Sequence, residues 1–122
     1  DKLQVAAEIV YKTLVVDVDS RYLAVAIIPV VKKLSLKKLA QTLKAKKIKM
    51  ADANKVQNST GYVLGGVSPL GQKNTLVTIL DNSAKNLNTL FISGGKRGLE
   101  IELSPQNLVL SLQATYANIT SE

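Results

Sequence analysis

Two apolar runs set back to back constrain this chain more than any other feature. The first covers residues 11–18 and includes Thr13, Leu14, Val15, Val16 and Val18; the second covers residues 22–30. Asp19, Ser20 and Arg21 lie between them. β-Branched residues at this density fit a pleated surface. Two such runs around a short polar triplet predict a β-hairpin. Both runs are apolar at almost every position instead of alternating, so other elements must cover both faces of the hairpin. The chain has 122 residues, 46% of them hydrophobic and only 4% aromatic. That suffices for a real core, an aliphatic one, and the expectation is a single domain over residues 1–122.

The rest of the chain reads as mixed structure. Leu3, Ala6, Ala7 and Val10 fall on one side, as at the end of a helix. Ser35 suits the N-cap of a helix over residues 36–45. In that helix Leu36, Leu39, Ala40 and Leu43 share a face, and Lys37, Lys38 and Lys44 fall mainly on the other. A short strand over residues 48–50 follows, and Asp52 then caps a helix to residue 58. Residues 75–80 predict a strand, Asp81 the cap of a helical turn, and residues 89–92 another strand. Residues 99–103 alternate apolar and acidic, as in a half-buried strand. Ser104 and Pro105 make an N-cap and first helical position for a helix over residues 105–112. A last strand falls within residues 114–119. Adjacent strands with scattered helices predict an α+β fold.

Composition removes much chemistry. The chain has no cysteine and no histidine. A Ser–His–Asp triad, a Cys–His pair, a His-based zinc site and a disulfide framework are all excluded. Any catalysis must use lysine, carboxylates, hydroxyls, backbone N–H groups or the substrate itself. The longest apolar runs fall well short of the ~20 residues of a membrane span. No basic stretch followed by an apolar run opens the chain. A cytoplasmic location is the expectation.

The net charge is +7. Lys32, Lys33, Lys37, Lys38, Lys44, Lys46, Lys47, Lys49 and Lys55 are concentrated in one stretch whose only acid is Asp52. Such a field is either a solvated lysine-rich face or a surface for a polyanion, RNA or DNA first. A membrane surface fits less well, because no apolar face with aromatic anchors accompanies the lysines.

Two glycine clusters interrupt the pattern. Gly61-Tyr62-Val63-Leu64-Gly65-Gly66-Val67-Ser68-Pro69-Leu70-Gly71 is the denser. It approaches the P-loop pattern but fails it: Gln72 stands where lysine is required, and Asn74 follows Lys73. Its glycines serve either a tight turn or bare N–H groups that hold a carbonyl oxygen or an oxyanion. Ser93-Gly94-Gly95-Lys96-Arg97-Gly98 is either a hairpin turn or a second anion-friendly loop. We read the two loops as walls of one site into which Lys12 reaches, although a lysine at a strand mouth also snorkels to water. Glu100 and Glu102, two apart on a strand, share a face, where one can pair with Lys12 or Arg97. The sequons at Asn58 and Asn118 are taken as chance.

In order and spacing these pieces resemble the YbaK/EbsC family of free-standing aminoacyl-tRNA deacylases, relatives of the editing domain inserted in bacterial prolyl-tRNA synthetase. The matching residues are Tyr11-Lys12-Thr13-Leu14, Leu23-Ala24-Val25-Ala26 with Pro29, Lys46-Lys47 with Met50-Ala51-Asp52, and Ser59-Thr60-Gly61-Tyr62. They continue through Gly65-Gly66-Val67-Ser68-Pro69-Leu70-Gly71-Gln72-Lys73 and from Ser93-Gly94-Gly95 to Glu100-Ile101-Glu102-Leu103.

The resemblance implies a mixed, barrel-like β-sheet flanked by helices. It implies that Lys12 is the catalytic lysine, with substrate held by Gly65, Gly66, Val67, Ser68 and Pro69 on one wall and Ser93, Gly94 and Gly95 on the other. Glu100 stands where the family carries an acid, commonly aspartate. The implied substrate is an amino acid ester of tRNA, and the nearest branch removes cysteine from proline tRNA. Either water or the substrate thiol attacks, with no cofactor and no metal. Lys37, Lys38, Lys44, Lys46, Lys47, Lys96 and Arg97 would steer the tRNA, and prolyl-tRNA synthetase is the implied protein partner; neither membrane nor DNA is expected. Family members also carry about one more helix and strand, with an active-site tyrosine, ahead of the helix that Asp1 opens. Without that segment, a non-catalytic module that binds tRNA or a synthetase stands as the other reading.

Overall fold

A computed structural model describes residues 7–61, 76–95 and 99–121. The central hairpin is present as expected. β1 (Tyr11–Val18) and β2 (Tyr22–Pro29) pair antiparallel, with Val18 opposite Tyr22 and Tyr11 opposite Pro29. Asp19 and Ser20 both take φ of 55° to close the turn. That left-handed geometry matches the twist of the strands and is the one a tight hairpin needs. Then come β3 (Lys33–Leu34), α1 (Leu36–Leu43), β4 (Ile48–Met50) and α2 (Ala53–Thr60). The later elements are β5 (Val77–Asp81), a 3₁₀ turn (Asn82–Asn86), β6 (Leu90–Ser93), β7 (Glu100–Leu103), α3 (Pro105–Leu112), β8 (Thr115–Ala117) and β9 (Thr120–Ser121).

Five strands form one mixed sheet in the order β4-β1-β2-β5-β8. β4 and β2 flank β1 antiparallel, whereas β5 runs parallel to β2 and β8 parallel to β5. β3 pairs with β9, and β6 with β7, as two-stranded ribbons. The mixed α+β class therefore stands. Among the described residues the sheet is open, and the strands do not close into a barrel.

The doubly apolar hairpin is explained by two cores, one on each face. Val16, Val18, Ala24, Ala26 and Ile28 face Leu39 of α1 together with Ile79 and Ile119. Tyr11, Val25 and Ile27 face the other way, onto Leu80, Leu90, Ile92 and Leu108 of α3. A smaller cluster joins Val15 to Ala51 and Val56 of α2. Ile27 and Ile28 are both 0% exposed. Burying such a side chain contributes about 1.5–3 kcal/mol.

Each helix has eight residues, too short to persist alone in water. Capping and packing hold them. Ser35 Oγ accepts from Lys38 N at 3.2 Å, Asp52 Oδ1 from Lys55 N at 2.9 Å, and Ser104 Oγ from Asn107 N at 3.1 Å. All three caps, and the place of Pro105 after Ser104, follow the sequence expectation. Lys44, Gly61 and Gln113 end the helices in left-handed geometry. For α1 this stops the helix at Leu43, short of the expected residue 45. α2 runs to Thr60, past the expected residue 58. Ahead of β1 a 3₁₀ turn, Ala7–Ile9, is described; the earlier part of the helix end expected there lies outside the described residues. The last expected strand is found as β8, and β9 follows beyond it as a further short strand with a different partner.

Candidate active site and basic groove

Lys12 lies on β1 opposite Ile28 and is half-buried. Its neighbour Tyr11 points into the α3 core, so strand alternation puts Lys12 on the other face. The β6–β7 ribbon has the same two sides. Leu90, Ile92, Ile101 and Leu103 pack in the core with Tyr11, while Phe91, Ser93, Glu100 and Glu102 take the opposite face. A parallel bridge between Val10 and Phe91 ties this ribbon to the start of β1. Two residues further along each strand, Lys12 comes level with Ser93. Ser93 is directly opposite Glu100 in the ribbon. The topology thus sets Lys12, Ser93 and Glu100 in one row, on one face, across three strands.

The polar groups of this row have spare capacity. Among the described residues no hydrogen bond or ion pair takes the Lys12 ammonium, and neither Glu100 nor Glu102 pairs with it. The expected pairing with Lys12 is therefore not found, since a shared face does not bring the charges within bonding distance, and the other expected partner, Arg97, lies outside the described residues. Among the described residues Glu100 Oε2 is buried without a partner, as is Thr13 Oγ1 on the other face of β1. A buried acceptor left unmet costs about 1–3 kcal/mol, a penalty that a ligand donor can relieve.

The second glycine cluster is the connection between β6 and β7. Gly95 takes φ of 100°, and its N–H donates to Ser93 Oγ at 3.2 Å. A Cβ on Gly94 would lie 2.7 Å from Leu99 Cγ. Turn geometry and close packing account for these two glycines as the hairpin reading expects. Lys96, Arg97 and Gly98 lie outside the described residues. So do Gly65, Gly66, Val67, Ser68 and Pro69, the whole of the other expected wall.

The lysine field divides into different roles. Lys37 is exposed on α1. Lys38 instead ties α1 to the C-terminal segment: its Nζ donates to Thr120 O at 2.7 Å and to Asn118 Oδ1 at 3.4 Å. Lys44, Lys46 and Lys47 line a groove of about 520 Å³ together with Arg21 and Lys49. Lys49 stood in the expected lysine field without being singled out as a tRNA contact, and Arg21 was missed from sequence. Arg21 could have been found from its place in the hairpin turn, and Lys49 from its position two residues after Lys47 on an edge strand.

Two carboxylates underlie the groove. Asp19 accepts from the backbone N–H of Lys46 at 3.0 Å and of Lys47 at 2.7 Å, which fastens the loop after α1 to the hairpin turn. Asp17, 3% exposed, accepts from Ser20 N at 2.8 Å and from Lys55 Nζ at 3.0 Å. The Lys55 hydrogen bond holds the Asp17 carboxyl below its ordinary range against the upward pull of burial, with help from the Ser20 N–H and the charge of Lys49. Lys55 is raised in return. On the same face, at the start of β1, burial pushes the Tyr11 phenol up despite its 2.7 Å hydrogen bond to Ser83 Oγ.

Comparison with known proteins identifies the class. Residues 1–109 match the model of the aminoacyl-tRNA editing domain. A protein of Enterococcus faecalis named "Putative Cys-tRNA(Pro)/Cys-tRNA(Cys) deacylase EbsC" is 36% identical over 113 residues, 93% of this chain and 69% of that protein. The protein YwhH of Bacillus subtilis is 38% identical over 76 residues, which cover 62% of this chain and 48% of YwhH. A solved structure, "a putative trans-editing enzyme for prolyl tRNA synthetase", superimposes with a TM-score of 0.92 at 20% identity, over 99% of this chain and 76% of that one. The chain belongs to the aminoacyl-tRNA editing domain family, a family of deacylases.

Proposed function

We propose that this chain removes cysteine from mischarged proline tRNA by cleaving the ester to the terminal ribose, as a step of translation quality control. The observation that carries the reading is the row of Lys12, Ser93 and Glu100, three polar residues from separate strands on one face. The likeness to EbsC, with its named cysteinyl substrate, supports the choice of amino acid.

The chain brings no thiol and no imidazole of its own. The substrate thiol supplies the nucleophile. Its sulfur attacks the ester carbonyl, a C–S bond forms, the C–O bond to the ribose breaks, and the thiol proton ends on the released ribose oxygen. Water opens the resulting cyclic thioester afterwards. Holding sulfur and carbonyl in a near-attack arrangement supplies much of the acceleration. Lys12 offers its ammonium to the terminal phosphate or the ribose, and N–H groups of the glycine loops steady the carbonyl oxygen as it gains charge. Glu100 and Ser93 orient the ammonium or the amino group of the aminoacyl moiety. A prolyl-tRNA synthetase partner would supply tRNA identity, and the site of action would be the cytoplasm.

The choice of nucleophile is tested with two charged tRNAs that differ by one atom. Cysteinyl and seryl esters on proline tRNA are incubated with the chain and the remaining ester is counted. The cysteinyl ester is expected to disappear at least about a hundred-fold faster, the scale of a lost effective molarity. Equal rates would replace the thiol with water as nucleophile.

A further inference from the structure

We infer that Tyr11, held through Ser83 by the Asp81 carboxylate, is a positioning residue for Lys12: it fixes where β1 stands against β6 and β7. The consequence for ester cleavage rests on the deacylase reading; the network itself does not.

Each member of the polar row is next in sequence to a side chain of the α3-side core. Tyr11 precedes Lys12, Ile92 precedes Ser93, and Ile101 follows Glu100. The spacing of the row is therefore set by how these three side chains pack beneath it. Aliphatic packing by itself tolerates repacking and loses uniqueness before it loses stability. A fully satisfied polar network in the core removes that freedom. Tyr11 supplies one.

The residue is 2% exposed, and its hydroxyl lies 2.7 Å from Ser83 Oγ on the 3₁₀ turn. Ser83 Oγ is in turn 2.6 Å from Asp81 Oδ2, which also accepts from Ser83 N at 3.2 Å. A carboxylate only accepts, so the Ser83 hydroxyl proton goes to Asp81 and the Ser83 oxygen is left to accept from Tyr11. Asp81, 3% exposed at the end of β5, is fixed on its other oxygen by the Ile119 N–H. The phenol is thus anchored to a carboxylate that a distant stretch of chain holds in place.

Backbone pairing leaves the start of β1 in need of that anchor. β2 pairs with the whole length of β1 on one side. On the other, β4 pairs with residues 16–18, Ala51 N donates to Val15 O, and the next link is the bridge from Val10 to Phe91. Among the described residues Lys12, Thr13 and Leu14 have no backbone partner on that side. Side-chain contacts must hold this part of the strand, and the Tyr11 hydroxyl gives them a fixed point.

The test compares Tyr11→Phe and Ser83→Ala, singly and together, with the parent chain on cysteinyl proline tRNA. The control is Thr42→Ala, which removes a hydroxyl bonded to Lys38 O on α1. A misplacement of ~1 Å costs about a hundred-fold in rate, so a slackened anchor is expected to lower kcat about ten-fold and to leave KM within about two-fold of the parent. The double variant loses no more than the worse single one, because both substitutions break one network. Ser83→Thr, which restores the hydroxyl, keeps the parent's kcat, as does Thr42→Ala. Unchanged kcat in the folded Tyr11→Phe and Ser83→Ala variants, or losses that multiply in the double variant, would overturn the proposal. A readout without turnover separates it from the deacylase reading. The backbone amide resonances of Lys12 and Ser93 are expected to shift in Ser83→Ala and to stay in place in Thr42→Ala. Shifted amides with no cleavage by the parent would sink the deacylase reading alone. Unmoved amides in Ser83→Ala would overturn the positioning role, whether or not the parent cleaves the ester.

Discussion

Asp17 shows how one residue can be both core and surface. It alternates with apolar neighbours along β1, is 3% exposed, and still holds a salt bridge at 3.0 Å with the half-exposed Lys55. Its pH behaviour follows from the direction of its shift. The folded-state carboxyl is depressed below the ordinary 3.8, so the stability it contributes is present above that value and is lost as pH falls through the folded one. Lys55 is raised above 10.5, so its share is present below that value and lost as pH rises through the folded one. Lys55→Met should therefore lower the urea midpoint near neutrality and flatten its decline between about pH 5 and about pH 2. Superimposable pH profiles of parent and variant would refute the assignment. Asp81 illustrates what sequence can reveal at this scale. Its capping of the 3₁₀ turn was legible, because an aspartate after an apolar strand announces a turn. Its second duty was not: Oδ1 also accepts from Ile119 N at 3.1 Å, from the far end of the chain. Lys38 is the same case, a lysine on a polar helix face whose head group is used by a backbone carbonyl 82 residues away.

At the scale of elements, local rules hold and long-range ones are silent. The hairpin and the three N-caps were readable because each depends on residues a few positions apart. The parallel pairing of β2 with β5 and of β5 with β8, and the two-residue ribbon of β3 with β9, join distant stretches. Strands so short leave little periodicity to read. The end of α1 was misjudged for a related reason: Lys44 takes a left-handed φ of 55°, which a residue with a side chain adopts at a cost and which sequence does not announce as glycine does. Gln113 caps α3 in the same geometry, with φ of 53°, although α3 ends at Leu112 as expected. Gln113→Gly relieves that cost at an exposed helix end. It should stabilise the protein by about 1 kcal/mol, read as a higher urea midpoint with unchanged slope. A lower midpoint would mean that the Gln113 side chain contributes more than its backbone costs.

Across the whole molecule the central hairpin links two regions of different chemistry. Near the start of β1 lies the face with Lys12, Ser93 and Glu100; at its far end, past Asp17, lies the basic groove. The family resemblance picked out Lys12, Ser93 and Glu100 from sequence. What brings them together is a parallel bridge from Val10 to Phe91, a contact between distant stretches with no signature of its own. The groove was half legible: Lys44, Lys46 and Lys47 were marked by their density, whereas Arg21 joins them only once the hairpin is folded. The most direct test of the account is ester cleavage on cysteinyl proline tRNA by the parent chain and by Lys12→Ala, with circular dichroism to confirm that both are folded. The account predicts cleavage by the parent and a loss of about 10²-fold or more in the variant, the scale of removing a group that stabilises developing charge or positions the substrate. Equal cleavage by the two folded proteins would contradict it.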